Sequence, residues 1–262
     1  MVNNRYIMGQ GKVYLDSIDP ATGLPMGKAR FVGNVPDGGL MFNIAVTKYE
    51  HKESFTGQGL IDASIERDPV TTGMLRLESF DRANLILAFY GEGATVAGGT
   101  VSAESHTAYK GFAFQLAKMN LESFTSLTNN ASPPVPYVKG TDYTIDLKSG
   151  MVEILADGAI ADESEVRANY VALGTERVTG FAKTNEEFWL IFNGKNKLDT
   201  DKPVKLQIFK CRFQPAKALD LINSNNTQAN LEMDFSAIYE ERIAEMAAYK
   251  GGLFSIEQTQ AA

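Results

Sequence analysis

Two histidines, one cysteine and 32 carboxylates are the groups from which this 262-residue sequence could build chemistry. Their spacing builds little. His51 and His106 stand far apart, and no HxxxH, HExxH or CxxC pattern joins them to each other or to Cys211, so the ligand spacing of a zinc site is missing. His51-Lys52-Glu53 sets a base beside a carboxylate, but three consecutive loop residues cannot hold an acid–base geometry alone, and a surface contact is the expected role. Nucleophilic catalysis would need a GxSxG elbow or a Cys–His pair, and neither occurs. Asp157, Asp162, Glu163 and Glu165 cluster without the DxDxDG loop of a calcium site and read as a solvated acidic turn. The Gly-x-Gly triplets near Gly9, Gly57 and Gly91 never reach the third glycine of a dinucleotide fingerprint. Phe112, Phe114 and Phe124 lack the interleaved Lys and Arg of a stacking platform for single strands, and Trp189 reads as a packing residue. No catalytic residue, no metal ligand and no cofactor is expected. A large acidic chain of this kind reads as a building block.

The elements that would position any contact are extended ones. Gly33 to Arg67 reads as two long strands around a charged tip: Leu40, Phe42, Ile44 and Val46 alternate with Met41, Asn43, Ala45 and Thr47, and Ile61, Ala63 and Ile65 alternate with Asp62, Ser64 and Glu66. The intervening YEHKESFTGQG is too long for a tight turn and should project. Residues 9–18 and 28–32 read as strands before it. Asp68-Pro69 is expected to end the second long strand, because Pro removes a ladder donor, and 74–78 reads as a separate short one. A helix follows, with Ser79 or Asp81 as N-cap, Ala83, Leu85, Ile86 and Phe89 as its apolar stripe and Gly91 as its stop. GEGATVAGG is a connector, and 101–130 fits neither period. Tyr143 to Leu147, Met151 to Ala156 and Val166 to Tyr170 read as a three-stranded meander turning at Ser149-Gly150 and Asp157-Gly158. Strands at 187–193, 204–213 and 231–239, a short helix within 240–250 and a last extended LFSIEQ complete the chain. The expected class is mainly β, a sandwich or barrel with one short packed helix. Residues 1–262 are expected to form a single domain, with about 101–172 a candidate inserted β-meander.

Lys plus Arg is 25 against 32 Asp plus Glu, a net charge of −7, which excludes a general phosphate-backbone binder. Cys211 sits in an apolar-basic run and reads as a small buried or edge hydrophobe. The first residues carry no apolar core of a signal peptide, so a cytoplasm-like setting is expected. No apolar run is long enough for a membrane helix. The sequons Asn130-Ala131-Ser132 and Asn225-Asn226-Thr227 read as polar loops.

In their order along the chain, Gly33-Asn34, then Glu50, His51, Glu53, Ser54 and Gly57 in the tip, then Asn84, Leu85, Leu87, Ala88 and Gly91 in the helix, resemble the major tail tube protein of long-tailed bacteriophages. KGTDYTIDLKSGMVEIL, ADESEVRANY, KLQIFKCRFQPAKALDLI and LEMDF look like later segments of that family, and the likeness spans most of residues 10–240. The resemblance implies a structural virion protein whose β-sandwich or barrel joins its neighbours into rings, hexameric in expectation. These would stack by self-assembly into the tail tube that conducts DNA into the host. It implies a subunit interface at the hairpin tip, here Tyr49, Glu50, His51, Lys52, Glu53, Ser54, Phe55 and Gly57. It also implies partners beyond the chain itself: tail terminator, baseplate or tip, and tape-measure proteins, with DNA only passing through. The place of such a protein is the virion tail, assembled in the bacterial cytoplasm. An acidic lumen would let DNA slide, and Asp62, Glu66, Glu232 and Asp234, on the polar faces of alternating strands, are its candidate lining.

A tube component of a type VI secretion system or phage-like particle would share the ring fold. A monomeric carbohydrate- or receptor-binding β-sandwich, with Tyr109, Phe112 and Trp189 lining a shallow site, is the alternative of another class.

Overall fold

A computed structural model describes residues 8–184, 186–198, 202–222, 228–249 and 252–259. The sequon at Asn225 and part of the loop after Leu198 lie outside these residues. In chain order the elements begin with β1 (Gly9–Ser17), β2 (Arg30–Phe31), β3 (Leu40–Lys52), β4 (Ile61–Leu77) and α1 (Arg82–Phe89). They continue through β5 (Glu92–Val96), β6 (Gly99–Ala108), β7 (Ala113–Gln115), β8 (Leu121–Asn129), β9 (Tyr143–Asp146), β10 (Met151–Ile154), β11 (Ser164–Ala172) and β12 (Thr175–Thr179). The last are β13 (Glu187–Asn196), β14 (Lys202–Phe213), β15 (Leu231–Ala237), α2 (Glu241–Ala244) and β16 (Phe254–Gln258). The protein is mainly β, and its chain divides into two compact units: one built from the chain up to Glu92 and again from Val178, the other from Gly93–Arg177.

The first unit is a large sheet in the order β2-β1-β13-β14-β15-β4-β3. One edge of β14 is shared: Val204–Ile208 pairs antiparallel with β16, and Cys211–Phe213 with β15. Leu206, Ile208, Cys211 and Phe213 all face one core although their parity changes. A bulge where β14 meets Phe188 and Leu190 makes that change, because one extra residue reverses which side chains point inward. Val13, Leu15, Leu75, Leu77, Leu190, Leu231, Met233 and Phe235 complete this core, and Leu87 and Ala88 of α1 cover it. Trp189, Phe209 and Ile243 form a second buried cluster.

The helix is capped as expected at its start, where Asp81 accepts the Asn84 N–H at 2.9 Å. It ends on Tyr90 in the left-handed conformation, one residue before the glycine expected to stop it. Its fully buried positions are Asn84, Leu87 and Ala88; of the expected stripe, Leu85 and Phe89 are half-buried and pack against the core, Ile86 is half-buried and Ala83 is exposed. Asn84 tolerates burial because its amide group is fully used: Nδ2 donates to the Val32 and Ser79 carbonyls at 2.8 and 2.9 Å, and Oδ1 accepts Arg30 at 2.7 Å.

The second unit contains two three-stranded sheets, β6-β11-β8 and β7-β10-β9. They share one core of Leu121, Leu127, Tyr143, Val152, Ile154, Val166, Ala168, Tyr170 and others, which makes the unit a small β-sandwich. The expected meander is split: β9 and β10 pair through the Ser149-Gly150 turn, whereas β11 lies between β6 and β8 in the other sheet. Five residues at β11, Val166, Ala168, Tyr170, Ala172 and Ser164, alternate with polar ones, and such a period fits either sheet equally well. β5 and β12, by which the chain leaves for this unit and returns, pair with each other.

Candidate functional site: a bare two-stranded arm

The β3–β4 hairpin is rooted where β4, from Thr72 to Leu77, pairs with β15. Beyond that root, among the described residues, β4 has only β3 beside it. Asp68-Pro69 does not end the strand, contrary to the sequence expectation. These two residues stand opposite the single Val46 as a bulge, with Asp68 at φ 56°. Pro69 is accepted because the ladder on its other side is absent, so no partner is denied an N–H. Tyr49 spans the irregularity and donates its hydroxyl proton to Asp68 Oδ2 at 3.1 Å.

From Asn43 to Val70 every side chain except Glu53 is exposed, on both faces of the ribbon. Ile44, Val46, Tyr49, Leu60, Ile61, Ile65 and Val70 are each about half exposed, and Phe55 is 85% exposed. Tyr49 and Ile65 face each other across the strands, as do Ala45 and Val70. Lys48 lies opposite Glu66 and binds Glu50 at 3.0 Å. An isolated two-stranded ribbon is marginal in water, and its unpaired edges invite another chain.

The expected interface residues at the tip fall into two groups. Glu53 is a lock: its carboxylate accepts the N–H groups of Phe55 and Thr56 at 2.9 Å each, that of Leu60 at 3.3 Å, and the Thr56 hydroxyl. The Thr56 hydroxyl and N–H, aided by the Leu60 and Phe55 N–H groups, hold its pKa down at about 2. Gly57, at φ 77°, completes the loop. Tyr49, Glu50, His51, Lys52, Ser54 and Phe55 are exposed. His51 Nδ1 lies 2.5 Å from Asp62 Oδ1, and Asp62 is the extra residue of a second bulge. The lock was legible only as a Glu three residues before a Thr; nothing in the sequence distinguishes it from a surface carboxylate.

The four candidate lumen carboxylates occupy two settings. Asp62 is tied to His51 near the tip, and Glu66 lies midway along the arm. Glu232 and Asp234 sit on β15 and are neutralised locally. Arg76 holds Glu232 at 2.6 Å, and Lys217 reaches Glu232 at 3.0 Å and Asp234 at 2.8 Å. Hydrogen bonds from Arg76 and Lys217 lower the Glu232 pKa, and those to Asp234 and Glu232 raise that of Lys217.

The other candidate groups are held in structural roles. His106 stacks on Phe114 at 4.4 Å and meets Glu104 at 2.6 Å, and Glu104 also accepts the Ala117 N–H at 2.8 Å and the Tyr170 hydroxyl. Asp162 accepts the Lys110 N–H, and Glu165 accepts Ser105 and Asn130. Among the described residues no group of three or more His, Cys, Asp or Glu side chains is placed to hold a metal ion. No described helix is long and apolar enough to cross a membrane. Tyr109 and Phe112 are exposed at one turn, but Trp189 is 1% exposed among Phe209 and Tyr249 and cannot line a shallow site.

No curated protein matches the chain. One family model does, over residues 6–255, nearly the whole sequence. The chain with the bare β-arm therefore belongs to the family described as Protein of unknown function UCP028589.

Proposed function

We propose that this protein is a structural subunit that polymerises through its β3–β4 arm, and that the polymer is a phage-type tail tube of stacked, hexameric rings through which DNA passes. The arm carries this reading: a ribbon exposed on both faces from Asn43 to Val70, with apolar side chains along its length, has no partner among the described residues of its own chain. Its size supports a macromolecular partner. Eight paired positions lie beyond the root, between Ile44 and Lys52 of β3, and at about 3.4 Å per residue they make a ribbon roughly 30 Å long. Two faces of that length, about 10 Å wide, offer roughly 600 Å², and with the projecting tip approach the roughly 800 Å² that one partner buries in a specific interface. An arm that lands on a different patch of the next copy makes a heterologous contact, which closes into rings or propagates as a filament. The net charge of −7 agrees with DNA as a passing cargo and not as a bound ligand.

The test replaces Glu50–Gly57 by a short Gly-Asn turn. The variant should fold, because the tip contributes nothing to either core, and should fail to polymerise in sizing chromatography and negative-stain microscopy. Normal tubes from this variant would overturn the role of the arm. A strict monomer from the unaltered chain at high concentration would overturn the polymerisation itself.

A further inference from the structure

We infer that Phe55 is an anchor that enters the apolar cavity beneath α1 of a second copy of this chain, an assignment that rests on the polymerisation proposed above. Phe55 is the most exposed large aromatic among the described residues, at 85%. It is also well held. Its own N–H is one of the bonds to Glu53, and the Glu53 N–H donates to the Leu60 carbonyl at 2.8 Å, so the loop that presents the ring is already ordered. Pre-ordering removes much of the entropy cost that an exposed loop would otherwise meet on binding.

The receiving cavity has a volume of about 210 Å³ and is lined by Ala83, Ile86 and Leu87 of α1, by Phe188, and by Arg30 and Lys183. An apolar cavity of about 150 Å³ accepts a benzene ring, so this one has room for a phenyl group and the approach of its backbone. The Arg30 guanidinium, steadied by Asn84 Oδ1 at 2.7 Å, supplies a cation for the ring face. Between Ile44 and Val70 the arm carries Glu50, Glu53, Asp62, Glu66 and Asp68 against Lys48, Lys52 and Arg67. At the cavity Lys183 meets Glu186 at 4.0 Å and Asp81 acts on Arg30, so the charges there are balanced and the fit rests on the apolar lining and the volume. A larger groove of about 640 Å³, lined by Val13, Phe42, Phe192 and Leu206, exceeds what one ring fills. Phe55 does not fill the cavity of its own copy, because it stands in solvent.

Two measurements decide the matter. Phe55→Ser should raise the critical concentration for polymerisation about 30-fold, as loss of a central aromatic anchor does, while leaving the monomer's melting temperature unchanged. In assembled protein that keeps Phe55, Ser54→Cys combined with Thr184→Cys at the cavity should cross-link into a ladder of multimers, and Ser54→Cys combined with Asp37→Cys at the larger groove should not. Buried Cys211 does not compete. If Phe55→Ser assembles like the unaltered chain while the shortened arm does not, the anchor is wrong and polymerisation through the arm stands. Cross-linking to position 37 in place of 184 overturns the cavity as its seat. Assembly of the shortened-arm variant overturns both.

Discussion

Gly73 sits at the root of the arm, opposite Phe42 on β3 and Phe235 on β15. A Cβ there would stand 2.2 Å from the tip of the Phe235 ring and 2.4 Å from the Met41 carbonyl oxygen. Neither neighbour can yield easily. Phe235 is 1% exposed and packs on Phe213 at a ring separation of 5.6 Å, and the Met41 carbonyl belongs to the strand pair itself. Gly73→Ala should therefore cost the roughly 1–3 kcal/mol of an overpacked core, toward the upper end because backbone is one of the obstacles. At about 2–4 °C per kcal/mol for a unit of this size, the melting temperature should fall by roughly 4–10 °C. The lone Trp189 is buried in the same unit, so its fluorescence reports the transition directly. Combining Gly73→Ala with Phe235→Leu should cost less than the two changes summed, because the shorter side chain vacates the space the methyl needs. An unchanged melting temperature for Gly73→Ala, or strict additivity in the pair, would refute this account of the root.

Two further outcomes are expected. The pKa of Glu53 is depressed to about 2 from an ordinary 4.5, so the stability it lends the tip is fully present above the ordinary value and is lost as pH falls from there through about 2; the protection factors of the Phe55 and Thr56 amides, with the intrinsic base-catalysed rise in exchange divided out, should be equal at roughly pH 6 and pH 7 and should fall below about pH 4, and protection that stays flat down to about pH 2 would contradict the lock. Glu104→Ala should destabilise the second unit by about 1–3 kcal/mol, because the Tyr170 hydroxyl loses its acceptor in a buried setting, with hydrogen exchange in β6, β8 and β11 as the readout.

The long hairpin was legible because alternation along Leu40–Thr47 and Ile61–Glu66 survives in the strands. Its continuity through Asp68-Pro69 was not, since whether a proline breaks a strand depends on whether that side of the ladder has a partner, and a partner is a property of the sheet. The same holds for β11. Its pattern announces a half-buried strand, but the choice between two sheets is made by contacts distant in sequence. The stripe on α1 was legible only in Leu85 and Phe89, which pack against the core, and the rest was missed for a chemical reason: Asn84 is buried because Val32, Ser79 and Arg30 satisfy it, and those partners are not readable from the helix alone. Several residues that carry the resemblance have local duties in the fold. Glu53 and Gly57 shape the tip, Asn84 pins α1, and Leu87 and Ala88 cover the core. Their order in the sequence therefore records how the chain folds at least as much as what it touches.

Because β5 and β12 lie side by side, the two ends of the 93–177 segment are only about one inter-strand spacing, roughly 5 Å, apart. A folded segment with adjacent ends adds almost no closure entropy to its host, whatever its length. It behaves as an exchangeable cassette. Deletion with a short turn, duplication, or replacement by an unrelated domain with similarly spaced termini would each leave the rest of the chain joined across the same short gap, which makes this a natural point at which to exchange one domain for another.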